Sequence, residues 1–225
     1  IRDRDIAKEL NVPSKDIERT ALLCKADLVT QLVFEFTELQ GYIGSDYARV
    51  AGEDARVVEG IKEHYFPLNA ESETAKGIEG QVVGIADKLD TICAVFADGK
   101  KPTGSSDPLG VRRAALGIIR TVLNNDLKIN LSNLIQKDLL LLPVSIETSS
   151  EKNALQKIAD TVKKNVARIA PDKCLAEINE FFVQRLIILL SDKCSKNVLE
   201  ACASNKNPME DLADYIARVK VVQTL

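Results

Sequence analysis

Apolar residues recur three and four positions apart along most of the chain, the spacing that lines one face of a helix. Alternating β-branched runs between turn signals, which would mark strands, are lacking. The pattern predicts an all-α protein. A first helix is expected from about Ser14, with Ser14 as its N-cap, to Gln40, stopped by Gly41. Leu22, Leu23, Ala26, Val29, Val33 and Phe34 form its apolar face. A second runs from Glu53 to Tyr65, carries Val57, Val58, Ile61 and Tyr65, and ends before Pro67. The clearest spans Gly80 to Ala97, with Val82, Ile85, Ala86, Leu89, Ile92, Cys93 and Phe96 in one stripe. Asp107 followed by Pro108 reads as a cap and first helical position. The helix expected behind them, Leu109 to Asn124, turns Val111, Ala115, Ile118, Ile119 and Val122 inward.

A shorter helix is predicted over Ser132 to Leu141. Pro143 and the polar run "SIETSSEKN" then divide the chain into units of 1–145 and 146–225. In the second unit Leu155, Ile158, Val162, Val166 and Ile169 line one helix. Pro171 opens another, which holds "FFVQRLIILL", and the last begins near Pro208 with Leu212, Tyr215, Ile216 and Val219. The chain opens Ile-Arg-Asp and ends within a periodic stretch, so it reads as a piece of a longer protein.

Composition narrows the chemistry. The 225 residues are 45% hydrophobic and 28% charged, a globular mixture, and no apolar run reaches a membrane-span length. Net charge is −3, which excludes a wholly basic coat but leaves room for a local patch. Five cysteines without a Cys-x-x-Cys pair suit reduced thiols in a cytoplasmic protein. His64 is the single histidine, so no site within this chain can use two.

Charge is uneven. Residues 35–79 hold ten acids against four basic residues. Residues 99–120 reverse this, with Lys100, Lys101, Arg112, Arg113 and Arg120 against Asp107 alone. A glycine-containing loop leading into a basic helix start suits an anion, because free N–H groups and the helix dipole face it. A solvated loop before a capped helix fits the same residues. Asp87 and Asp90 lie three apart on one helix, a spacing open to metal binding or to ordinary solvation. His64, at a helix end, suits a hydrogen-bonding role better than catalysis.

Several strings occur in a particular order: "LCKADLVTQLVFEFTELQGYIGSDYA", "EHYFP", "ADKLDT" and "DGKKPTGSSDPLGVRRAALGIIR". Together with "FFVQRLIILL" and "DLADYIARVKVVQTL", they closely resemble the β subunit of the bacterial two-subunit glycyl-tRNA synthetase. The resemblance implies a fragment of a larger β chain, an HD-domain-like helical bundle followed by a second helical segment. It implies an α2β2 complex that charges tRNA-Gly, with ATP and Mg2+ used at the α subunit and no cofactor in this fragment. HD phosphohydrolases hold metal through a histidine, a His-Asp doublet and a late aspartate. "IADKLDT" resembles the last of these segments, which makes Asp87 the aspartate, with Asp90 beside it. "TALLCKADL" resembles the doublet segment, and Cys24, Lys25 and Ala26 stand there instead. His64 resembles a further histidine of some HD proteins.

The resemblance therefore implies a degenerate site without metal and no catalytic residue in this chain; with the basic stretch Lys100 to Arg120 it predicts tRNA phosphate contacts through Lys100, Lys101, Arg112 and Arg113, and through Lys25 where that side chain faces the vestigial pocket. A scaffold touching only protein, and a divergent HD-type metal phosphohydrolase using Asp87, Asp90 and His64, are the alternatives.

Overall fold

The computed structural model describes residues 2–102, 107, 109–142 and 171–224. Among them every regular element is helical. In chain order these are α1 (Arg2–Glu9), α2 (Lys15–Leu23), α3 (Gln31–Glu35), α4 (Tyr42–Val50), α5 (Ala55–Glu63) and α6 (Ile78–Ala97). They continue with α7 (Val111–Asn124), α8 (Leu131–Leu141), α9 (Pro171–Leu190), α10 (Lys196–Asn205) and α11 (Leu212–Gln223). The helix expected through Leu155 to Ile169, and Pro108, lie outside the described residues.

The long α6 is the axis of the molecule. Its whole predicted stripe is buried, and α1, α2, α5, α7, α8 and α9 all pack on it. The inward residues of α7 also fall as the periodicity predicts, with Ala115, Ile118 and Ile119 fully buried. One continuous apolar core runs from Ile6 through α6, α7 and α8 to Phe182, Leu199 and Tyr215. A smaller core, Ala48, Val57, Val58 and Ile61, sits under α4 and α5. The periodicity of so short a segment does not mark α1, whose Ile6 and Ala7 lie in the main core.

The single helix expected over Ser14–Gln40 is a correction. The chain leaves α2 after Leu23, makes a 3-10 turn over Ala26–Val29, forms the short α3, and makes a second 3-10 turn over Thr37–Leu39. Two causes act together. Val29, Thr30, Val33, Phe34 and Phe36 are poor helix formers. The buried Asp27 also has a competing task, since its Oδ2 accepts from the backbone N–H groups of Gly41 (2.6 Å) and Gly44 (3.2 Å). This carboxylate caps α4, whose first residue follows Gly41 at φ +80°. Thr30 then caps α3 by accepting from Val33 N–H. Val29 and Phe34 consequently face outward rather than inward, and Leu22 of α2 is exposed as well. Ser14 precedes α2 but makes no side-chain cap bond.

Replacing Asp27 with asparagine removes the charge and leaves the shape. A loss of ~1 kcal/mol is expected in chemical denaturation, the difference between a charge-assisted and a neutral cap.

Candidate nucleic-acid interface

The residues singled out by sequence fall into two separate places. The first is a groove of ≈ 560 Å3 between α1, the end of α2 and α6, lined by Arg2, Cys24, Lys25, Ala86, Asp87 and Asp90. Lys25 follows the last turn of α2, and its Nζ donates to Asp87 Oδ2 at 3.0 Å. The same ammonium lies 4.1 Å from the centre of the Tyr65 ring, and that ring lies 3.9 Å from His64. Lys25, His64 and Asp87, far apart in sequence, are thus neighbours. Asp90 is engaged elsewhere, by Arg2, which also pairs with Asp138 of α8.

His64 is fully buried at the C-terminal end of α5, where its Nδ1–H donates to the carbonyl of Ile61. Burial, and next the Lys25 charge, push its pKa down to about 4, so the ring is neutral at pH 7. Among the described residues its Nε2 has no hydrogen-bond partner. The Lys88 ammonium donates to the carbonyls of His64 (2.8 Å) and Phe66 (3.1 Å), which closes the end of α5. Burial lowers the Lys88 pKa to about 8. Cys24 is a buried thiol pushed up to about 11, not a ready ligand.

These donors do not suit a metal ion. The cation beside Asp87 is an ammonium of the chain itself, and Asp90 is turned to a guanidinium. Among the described residues no three His, Cys, Asp or Glu side chains converge on one point.

The second place begins beyond the C-terminal end of α6, about 15 Å along its axis from Asp87. Lys100 pairs with Asp98 (2.7 Å) and Lys101 with Glu177 of α9 (3.2 Å). The start of α7 is not an open anion slot. Asp107 Oδ1 accepts from Val111 N–H (2.8 Å) and Oδ2 from Arg112 N–H (3.0 Å), so the chain supplies its own carboxylate. The helix accordingly begins at Val111 rather than Leu109, after Gly110 at φ +65°. Arg113 folds back over Gly110, close enough that a Cβ there would lie 3.1 Å from its Nη2.

Arg185 of α9 joins this face. Its guanidinium lies 4.3 Å from the centre of the Phe181 ring. Burial lowers its pKa, and so does the nearby charge of Arg112. The i, i+4 spacing of Phe181 and Arg185 within "FFVQR" was the available signal. Arg120, by contrast, is committed to structure, donating to the carbonyls of Asn69 (2.9 Å) and Ser72 (2.6 Å). Arg112, Arg185 and Asp107 thus lie close together, and α9 also carries Glu177, the partner of Lys101. Cations exceed carboxylates, and Lys25 is not among them.

Sequence comparison shows the family of the chain. A family model described as glycyl-tRNA synthetase beta subunit matches residues 2–204. The chain belongs to the glycyl-tRNA synthetase beta subunit family. It is 42% identical over 191 residues to the glycine–tRNA ligase beta subunit of Synechocystis sp., covering 84% of this chain and 23% of that protein. The namesake of Gloeothece citriformis is 37% identical over 231 residues, 98% of this chain and 29% of its own length. That of Myxococcus xanthus is 42% identical over 188 residues, 84% and 24%. The chain therefore spans about a quarter of the length of these synthetase beta subunits. No described helix is long and apolar enough to cross a membrane.

Proposed function

We propose that this chain is a non-catalytic, tRNA-positioning part of a glycine–tRNA ligase β subunit. The observation that carries the proposal is the family match across residues 2–204. In this reading the complete cytoplasmic enzyme pairs β with an α subunit in an α2β2 assembly. ATP and Mg2+ act at α, and this chain contributes grip on tRNA-Gly. The basic face supports that role. Lys100, Lys101, Arg112, Arg113 and Arg185 suit phosphates, which fix register and affinity without reading bases. Lys100 and Lys101 are half-exposed or more, and their surface ion pairs are weak enough to yield to a phosphate. Lys25 belongs to a different task, acting as a built-in cation in an HD-like pocket that has lost its metal donors.

The test is binding of a tRNA-Gly acceptor hairpin to the complete β subunit across a salt series. Replacing Arg112 and Arg113 by alanine is expected to weaken binding and flatten the slope of log K against log salt by about 1.5, two phosphate contacts' worth. An unchanged slope would remove these arginines from the interface and leave the family membership standing. A pure scaffold role is the second reading. It is favoured by the ten acids of residues 35–79, which repel phosphate wherever they face it.

A further inference from the structure

Among the described residues, the segment that breaks the expected first helix presents an exposed apolar surface. Val29 is 90% exposed and Phe34 82%, and Leu28, Leu32 and Phe36 are exposed beside them. Five large apolar side chains in nine residues are more than the scattered leucines of an ordinary surface. The short α3 packs chiefly on the two 3-10 turns that flank it, so it stands off the helical body. Val33, the one large side chain of α3 that is buried, belongs to neither core.

The charges around this surface select its occupant. Between Lys25 and Arg49 the chain has no lysine or arginine, and it carries Glu35 and Glu38 as exposed carboxylates within and just after α3. Neither carboxylate has an ion-pair partner among the described residues. Among the described residues Glu35 accepts only from Gln31. A phosphate backbone would meet repulsion here. A second copy of the chain docked on the same face would set carboxylate against carboxylate. A protein surface that is apolar at its centre and carries lysine or arginine at its rim satisfies both features.

We propose that residues 28–36 are a docking surface for the α subunit of the synthetase, through an apolar patch of that subunit flanked by basic side chains. The proposal rests on the synthetase reading above, because a beta subunit implies a companion chain. Phe34 and Phe36 are the aromatic anchors, and Glu35 and Glu38 set orientation.

The experiment uses the complete β subunit and purified α subunit, with association measured by interferometry. The double variant Val29→Ser, Phe34→Ser is expected to bind α at least tenfold more weakly, in line with loss of an aromatic anchor. Both side chains are solvent-exposed, so the melting temperature of β should hold, as should its affinity for the tRNA-Gly hairpin. Val221→Ser, at an exposed apolar position on α11, is the control and should bind α like the wild type. A second variant, Glu35→Lys with Glu38→Lys, should bind α weakly at low salt and recover as salt screens the new repulsion. Unchanged α binding in both variants overturns the proposal. A lower melting temperature of β alone, with α binding intact, assigns the face to another part of the β chain and overturns it too. Loss of hairpin binding with α binding intact assigns the face to RNA. Failure of wild-type β to bind α would instead count against the synthetase reading itself.

Discussion

Replacing Gly84 with alanine is expected to destabilise the protein by ~3 kcal/mol in urea denaturation, the upper range for overpacking a tight contact. A Cβ at this position would lie 2.6 Å from the carbonyl oxygen of His64, which is backbone and cannot swing aside. The contact belongs to a close crossing of α5 and α6. At Gly60 a Cβ would meet Glu79 at 2.8 Å, and at Gly80 it would meet Glu63 at 2.7 Å. Each helix thus offers glycine where the other brings a carboxylate side chain. The same His64 carbonyl accepts from Lys88 at 2.8 Å, so pushing the end of α5 away also loosens that bond. Alanine's better helix propensity returns about 1 kcal/mol and does not offset the clash. Gly117 in α7 provides the contrast. Its Cβ would meet Pro67 Cδ at 3.4 Å, an ordinary contact, so Gly117→Ala should stay within ~1 kcal/mol of the wild type. Equal effects of the two substitutions would mean that the α5–α6 crossing is not limited by space at Gly84.

That crossing also sets the groove. The end of α5 holds His64 and Tyr65, and α6 holds Asp87. Separating the two helices separates the groups that gather around Lys25. Gly84→Ala should therefore disturb the groove as well as the core, whereas the basic face beyond Lys100 should be spared.

Long, strongly periodic segments were legible from sequence. The α6 stripe and the inward residues of α7 are buried where a 3.6-residue period puts them, because core packing and helix propensity agree there. The region from Cys24 to Gln40 was not legible, because its periodicity matches a helix that Asp27 forbids. A side chain that caps a helix fourteen residues later leaves no local signal. The anion slot before α7 was misleading for a related reason. The glycine, the lysines and the arginines are present, but Asp107 folds onto the N–H groups that an external anion would need. Lys25, His64 and Asp87 were brought together by resemblance to a family, since no spacing in the chain links positions so far apart. Arg185 is close to Arg112 only because α9 packs against α7.

The buried histidine makes the stability of the chain depend on pH in a defined window. Protonated His64 is disfavoured in the folded state by burial first and by Lys25 next, with Asp87 acting the other way and Lys88 in the same direction as Lys25. Its pKa is about 4 folded against 6.5 as an ordinary imidazole. Between those values the unfolded chain binds more protons than the folded one, so folding loses stability as the pH falls. The His64 contribution is fully present above about pH 6.5, declines through the window, and is gone near pH 4. Its total is ~3 kcal/mol by the 1.36 kcal/mol that accompanies each pKa unit. Because this is the single histidine of the chain, its ring resonances need no assignment, and an NMR titration reads the folded pKa directly. A midpoint near 6.5 would contradict the burial and the charge environment together. Lys25→Met separates the two causes: it removes the cation but leaves Asp87 in place, so the His64 midpoint should rise and the loss of stability between pH 6.5 and 4 should shrink. If the midpoint stays put in that variant, burial alone holds the ring neutral, and the Lys25–Asp87 pair is electrostatically isolated from the end of α5.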